Sequence, residues 1–356
     1  MEQRRKNLTQ LFIPICLETL LYMLSGMVDT LMLSSVNDQA VGAVGTANTY
    51  IGIFIIMFSV ISSGMVAVMT QNIGAGRPGV AYQARQLGLA FNAVLGIILS
   101  LILAFGAGTI LAGVGVADAL MQPARTYLQI VGGFCILNAL IPICSSYLRA
   151  FGFSKEPLYA SIIGNVINFC LNAFFLFVLH KGVAGVATAT VVSRIINLVI
   201  VVLLGAVLVK AKQHPERESN REVMGQIIRI GFPSACETAI YNVSMTLVIR
   251  FLNQMDAQGL NVTARSYTMQ ITNFSYCVGA ALAQANAIMT GWHIGAKEYD
   301  ACDRGTKKAA VIGVIVAVIL ETVFTLCSGW IMQLFSKDPQ MVSLVGKLLA
   351  IDIVLE

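Results

Sequence analysis

The stretch Pro14-Ile15-Cys16-Leu17-Glu18-Thr19-Leu20-Leu21-Tyr22-Met23-Leu24-Ser25 returns as Pro233-Ser234-Ala235-Cys236-Glu237-Thr238-Ala239-Ile240-Tyr241-Asn242-Val243-Ser244. The offset of 219 residues that carries Pro14 onto Pro233 also carries Glu18, Thr19, Tyr22 and Ser25 onto Glu237, Thr238, Tyr241 and Ser244. A second pair, Ile73-Gly74-Ala75-Gly76 and Ile294-Gly295-Ala296-Lys297, repeats at an offset of 221, so two residues are inserted between the blocks. Both copies lie in strongly apolar surroundings. Two repeated halves, each with a carboxylate in its first membrane helix, are the pattern of a secondary transporter.

Composition agrees with a membrane chain. Of 356 residues 57% are hydrophobic and 12% charged, against about 25% charged in soluble domains. Apolar runs of about 20 residues alternate with short polar loops, which fits helices crossing a hydrocarbon core. Strand-type alternation is absent, which argues against a β-barrel. Apolar length places about ten helices at 10–34, 45–72, 86–114, 124–148, 157–180, 183–210, 226–253, 262–292, 306–334 and 339–356. Pro142 is expected to kink the fourth. The expected fold is an all-α membrane protein of two homologous six-helix bundles, the second incomplete. Residues 1–210 form the first bundle, 211–224 a polar cytoplasmic linker, and 225–356 the first four helices of the second. By symmetry two further helices are expected, as in a fragment of a longer twelve-helix protein.

The net charge of +5 is distributed by loop. Arg4, Arg5 and Lys6, Arg77 and Arg85, Arg149 and Lys155, the linker, and Lys297 to Lys308 hold most of the basic residues. The intervening loops hold little more than Arg125, Lys181 and Lys337. This positive-inside pattern predicts a cytoplasmic N-terminus and a multi-pass protein of the cell inner (plasma) membrane, with each charge read as topogenic. It does not describe a nucleic-acid surface. The basic start followed by an apolar run reads as an uncleaved first helix, because Glu18 and Asp29 interrupt the run. Eight scattered cysteines, no CxxC and three histidines give no metal site. No cofactor is expected beyond a proton or sodium ion, and a monomer is expected.

Candidate chemistry sits on the first helix. Glu18, Tyr22, Ser25 and Asp29 are spaced 4, 3, 4 and share one face. A lipid-facing carboxylate is costly, so the stripe must face the bundle or a wet cavity. In the second copy the stripe reads Glu237, Tyr241, Ser244, Val248, which leaves Asp29 without a counterpart. That asymmetry makes Asp29 the candidate to exchange its charge for a proton or sodium ion. Pinning of a neighbouring helix is the structural alternative. Glu18 and Glu237 recur in both halves and read equally as packing or gating groups, with Tyr22 and Tyr241 beside them. Asn165, Asn168 and Asn172 share a face of the fifth helix. They either bond neighbouring helices or supply oxygens to a cation or hydrogen bonds to Asp29. The small-residue run Gly182 to Thr190 reads equally as close helix packing or as a source, through Thr188 or Thr190, of a hydroxyl for the same pocket. Arg194 lies deep in an apolar segment and calls for an acidic or carbonyl partner. Arg250 and Glu321 are further charges within apolar segments.

With these motifs in order, the chain resembles the multidrug and toxic compound extrusion (MATE) transporters over essentially its whole length. The supporting stretches are Val28-Asp29-Thr30, Gln71-Asn72-Ile73-Gly74-Ala75-Gly76, Leu148-Arg149-Ala150-Phe151-Gly152, Asn165-Val166-Ile167-Asn168 and Gly182 to Thr190. The resemblance implies two bundles around a central cavity that opens alternately to each side. It implies export of cationic, amphipathic drugs or metabolites against protons or sodium. Asp29 matches the family's acidic residue of the first helix. Asn168 and Asn172 match a pair whose second member is often Asp, so this chain has one carboxylate fewer there. A flippase for lipid-linked saccharides is the alternative, and should show a cavity dense in Arg and Lys. An intramembrane enzyme needs clustered carboxylates for magnesium, and no DDxxD run exists. No GxxxxGK[ST] is present to power transport by ATP.

Overall fold

The computed structural model describes residues 6–34, 38–113, 118–209, 216–255, 260–332 and 339–355. Among them there is no strand, and each of the ten apolar segments is largely helical. The first half runs α1 (Leu8–Ser34), α2 (Asp38–Gly74), α3 (Pro78–Gly113), α4 (Asp118–Tyr127), α5 (Ile136–Ala150), α6 (Lys155–Ala173) and α7 (Gly182–Leu208). The second runs α8 (Asn220–Met255), α9 (Leu260–Gly295), α10 (Tyr299–Leu326), α11 (Ser328–Met332) and α12 (Pro339–Leu355). Among the described residues five helices are long and apolar enough to cross a membrane, and a bent pair makes a sixth.

Several helices outrun their apolar segments. α8 begins at Asn220 and α10 at Tyr299, because backbone hydrogen bonding continues into polar turns that an apolar-length criterion excludes. The linker expected at 211–224 is correspondingly shorter. Its residues 211–215 lie outside the described ones, and Asn220 onward is already α8.

The fourth crossing departs from expectation. Its break lies between Gly132 and Ile136, with a 42° bend, and Pro142 sits inside the unbroken α5. A π-helical turn, Leu128–Gly132, precedes the break, and such turns interrupt the regular backbone ladder. The Ile136 N–H donates instead to Ser100 Oγ at 3.0 Å. Ser100 on α3 therefore satisfies a donor that the broken helix leaves free.

The loops 6–7, 74–79, 150–155, 216–220 and 295–299 gather at one end, the basic end. There Lys6 Nζ donates to Ser154 Oγ at 3.2 Å, Arg77 pairs with Glu218, and Trp292 Nε1 donates to the Ala150 carbonyl at 2.9 Å. Gln83 on α3 donates to the Glu218 carbonyl at 2.7 Å and to Asn220 Oδ1 at 2.6 Å. Its own Oε1 accepts the Glu218 N–H at 3.1 Å.

Burial differs along the bundle. At the basic end one apolar core joins both halves, from Leu11, Met69 and Tyr147 to Ile227, Ile288 and Trp292. Farther away the core divides, one cluster drawn wholly from the first half and one wholly from the second. Glycines make the joint tight. A Cβ at Gly64 of α2 would strike the Ile227 carbonyl of α8, and one at Gly231 would strike the Val60 carbonyl. α2 meets α9 in the same way, where Gly295 abuts the Gln71 carbonyl. The two halves are thus sealed at the basic end and separate toward the other.

Candidate functional site

Within the first half, α1, α2, α5, α6 and α7 enclose a cavity of about 720 Å³. The polar stripe of α1 forms one wall: Glu18, Tyr22, Ser25 and Asp29 all line it. Asn165 and Asn168 of α6 and Thr190 and Arg194 of α7 face it from the opposite side, and Gln284 of α9 reaches it from the second half.

Asp29 meets the amides as the helical spacing predicts. Asn172 Nδ2 donates to Asp29 Oδ1 at 2.5 Å and to Asn168 Oδ1 at 3.3 Å. Asn168 is 5% exposed and Asn172 fully buried, so this triad is shielded from lipid on the α6 side. The Asn172 Oδ1 is buried and has no hydrogen-bond partner among the described residues. The Thr190 hydroxyl donates to the Val186 carbonyl at 2.9 Å. Carboxylate, amide and hydroxyl oxygens here suit a proton or a hard cation. Asn165 ties α6 to α1 by donating to the Leu21 carbonyl at 3.2 Å.

Glu18 has a partner that its sequence context hides. Arg149 Nη2 donates to Glu18 Oε2 at 2.5 Å, and Arg149 Nη1 donates to Gln284 Oε1 at 2.9 Å. The Arg149 and Glu18 side chains are only 8% and 14% exposed. Arg149 is therefore a buried pairing residue at the end of α5 rather than a topogenic loop charge. Nothing local in the sequence marks this pairing, because Arg149 falls just outside the apolar segment 124–148 and beside a basic loop. Arg194 takes a neutral partner, donating to Asn138 Oδ1 at 3.0 Å.

Glu237 and Tyr241 are not brought to this cavity. Both are exposed on α8, Tyr241 by 54%. The side chain of Arg250 lies outside the described residues. Glu321 is fully buried in α10, away from the cavity lining. Among the described residues no group of three or more His, Cys, Asp or Glu could hold a metal ion.

Comparison with known proteins decides the family. The family model described as MatE matches residues 14–174 and again 233–355, once in each half. The chain belongs to the MatE family. A Bacillus subtilis protein named "Uncharacterized transporter YisQ" is 32% identical over 96% of this chain and 76% of its own length. A Thermotoga maritima protein named "Probable multidrug resistance protein NorM" is 23% identical over 96% of this chain and 74% of its own. A solved MATE family transporter of the MOP superfamily, in an outward-facing conformation, superposes with a TM-score of 0.84 at 19% identity. That likeness covers 98% of this chain and 77% of that one. This MatE chain belongs to a family of multi-pass membrane transporters that handle small molecules.

Proposed function

We propose that this MatE chain is a secondary active antiporter. It exports amphipathic small molecules, drugs or metabolites, in exchange for protons or sodium by alternating access. The observation that carries the reading is the Asp29–Asn172–Asn168 triad, set in a polar cavity inside an apolar bundle. A carboxylate there is shielded from lipid and exchanges its charge most cheaply by binding a small cation. The basic end faces the cytoplasm of the cell inner (plasma) membrane by the positive-inside rule. The conformation described is then sealed inward and open outward. Exchange results when cargo and coupling ion compete for one cavity that the two halves expose alternately. The working unit is a single chain, whose own residues supply the triad and the cavity lining. A saccharide-lipid flippase fits less well: of the two arginines lining the cavity, Arg149 is already paired with Glu18.

The test is dye efflux from vesicles of purified protein under imposed pH or sodium gradients. Wild type should respond to one of the two gradients, and Asp29→Asn should reconstitute normally but lose that response. Gradient-driven efflux that survives Asp29→Asn removes Asp29 from the coupling role.

A further inference from the structure

We infer that Arg149 and Gln284 form a latch between the two halves, and that the cavity opens inward when Gln284 lets go of the guanidinium. This rests on the alternating-access part of the function proposed above, and it assigns the gating role to named residues.

The latch sits where the cavity meets the sealed basic end. Glu18, Arg149 and Gln284 all line the cavity, and among the described residues Gln284 is the one lining residue that the second half supplies. Arg149 is buried at the end of α5. Its planar fork aims two nitrogens at two different helices. Nη2 donates to Glu18 Oε2 of α1 at 2.5 Å, and Nη1 donates to Gln284 Oε1 of α9 at 2.9 Å. α9 takes a second hold one residue further on, where Trp292 Nε1 donates to the Ala150 carbonyl at 2.9 Å. The end of α5 is thus gripped twice by one helix of the other half. Of the two holds, the one through Gln284 faces the cavity.

The two bonds of Arg149 differ in kind, and the difference makes a latch rather than a permanent tie. The bond to Glu18 joins opposite charges within the first half, and bonds of that kind are the strong ones. It need not break when the halves part. The bond to Gln284 crosses between the halves and ends on a neutral oxygen. When Gln284 withdraws, the guanidinium keeps its counter-charge, so opening leaves no buried cation unanswered. Elsewhere the joint has no such choice. At Gly64, Gly231 and Gly295 the backbone of one half abuts the backbone of the other, which sets spacing and offers no exchangeable partner.

A reporter is built into the joint. The chain has two tryptophans. Trp292 is 4% exposed and Trp330, on α11, is 72% exposed. In a Trp330→Phe background Trp292 alone reports whether the basic end is shut. Its emission is quenched with iodide, which stays in water, on purified protein in lipid nanodiscs in mildly alkaline buffer. Gln284→Met keeps the side chain's length and removes the acceptor. It should raise the inward-open population about tenfold, the worth of one hydrogen bond to a charged group, read as a severalfold larger quenching constant. Gln284→Glu turns the crossing bond into an ion pair and should lower the constant below that of the unaltered residue. A constant unchanged in Gln284→Met, or raised in Gln284→Glu, overturns the latch. A purely structural role for Gln284 would move quenching in the same direction in both variants. Should Gln284→Met fail to fold, judged by its unfolding temperature in detergent, Gln284→Glu decides. Quenching needs neither dye nor gradient, whereas the efflux test acts on Asp29, so failure of the latch is distinguishable from failure of the antiport reading.

Discussion

Asn172 does its work by placing hydrogens. Its buried amide donates to both Asp29 and Asn168, at the cost of an unpartnered oxygen of its own. Truncation in Asn172→Ala removes a bond to a charged group, worth about 1.5–3 kcal/mol. Losing a donor to the ionised carboxylate favours its cation-bound form, so the half-saturating concentration of the coupling ion in efflux should fall about tenfold or more, while folding persists. The Glu18–Arg149 pair predicts differently. Arg149→Met alone strands a largely buried carboxylate and should cost about 3 kcal/mol, read as a lower unfolding temperature in detergent. Glu18→Gln combined with Arg149→Met should recover most of that loss, because no charge is then left unanswered. The carboxylate stripe was visible from spacing alone, since a charge in an apolar helix has few places to go. The arginine that answers Glu18 was not, because Arg149 stands at a helix end beside a basic loop. Its charge reads there as orientation rather than pairing.

At the level of elements, the joint between α2 and α8 is set by missing side chains. Gly231→Leu places a branched side chain against the Val60 carbonyl, which backbone cannot yield. The basic end should be forced apart, read as a longer distance between spin labels at the exposed Ala75, in the turn before α3, and Tyr299 of α10. Gly279 of α9 has nothing within 4 Å of an added Cβ, so Gly279→Ala should leave that distance unchanged. It should raise helix stability by about 0.5–1 kcal/mol. Helices themselves were legible, because an apolar run of membrane length permits little else. The break after Gly132 was not. Pro142 carries the familiar sign of a kink, yet the bend comes after a π turn and depends on a hydroxyl of a different helix, Ser100. Neither can be located from the local chain.

For the whole molecule, duplication was readable and its asymmetry only partly so. The repeat pairs Asp29 with Val248, and their surroundings differ accordingly: a polar cavity in the first half, and an exposed aliphatic in the equivalent place of α8. Val248→Asp should therefore cost folded yield by about 2.5–3.5 kcal/mol, the penalty of a mid-membrane carboxylate without a pocket. Asp29→Asn should express normally; equal yields of the two variants would contradict the asymmetry. Glu237 and Tyr241 matched their first-half counterparts in sequence but not in surroundings, because the repeat dictates helix register and not which neighbours arrive.

The amide of Gln83 has a mechanical consequence. By gripping Glu218 and Asn220 it staples the start of α8 to α3, so this end of the 36-residue helix acts as a fulcrum. At 1.5 Å per residue the arm beyond the tight Gly231 contact is about 36 Å long, and a tilt of only about 10° sweeps its tip through about 6 Å. A hinge that barely stirs can thus open or shut a doorway wide enough for a drug-sized passenger.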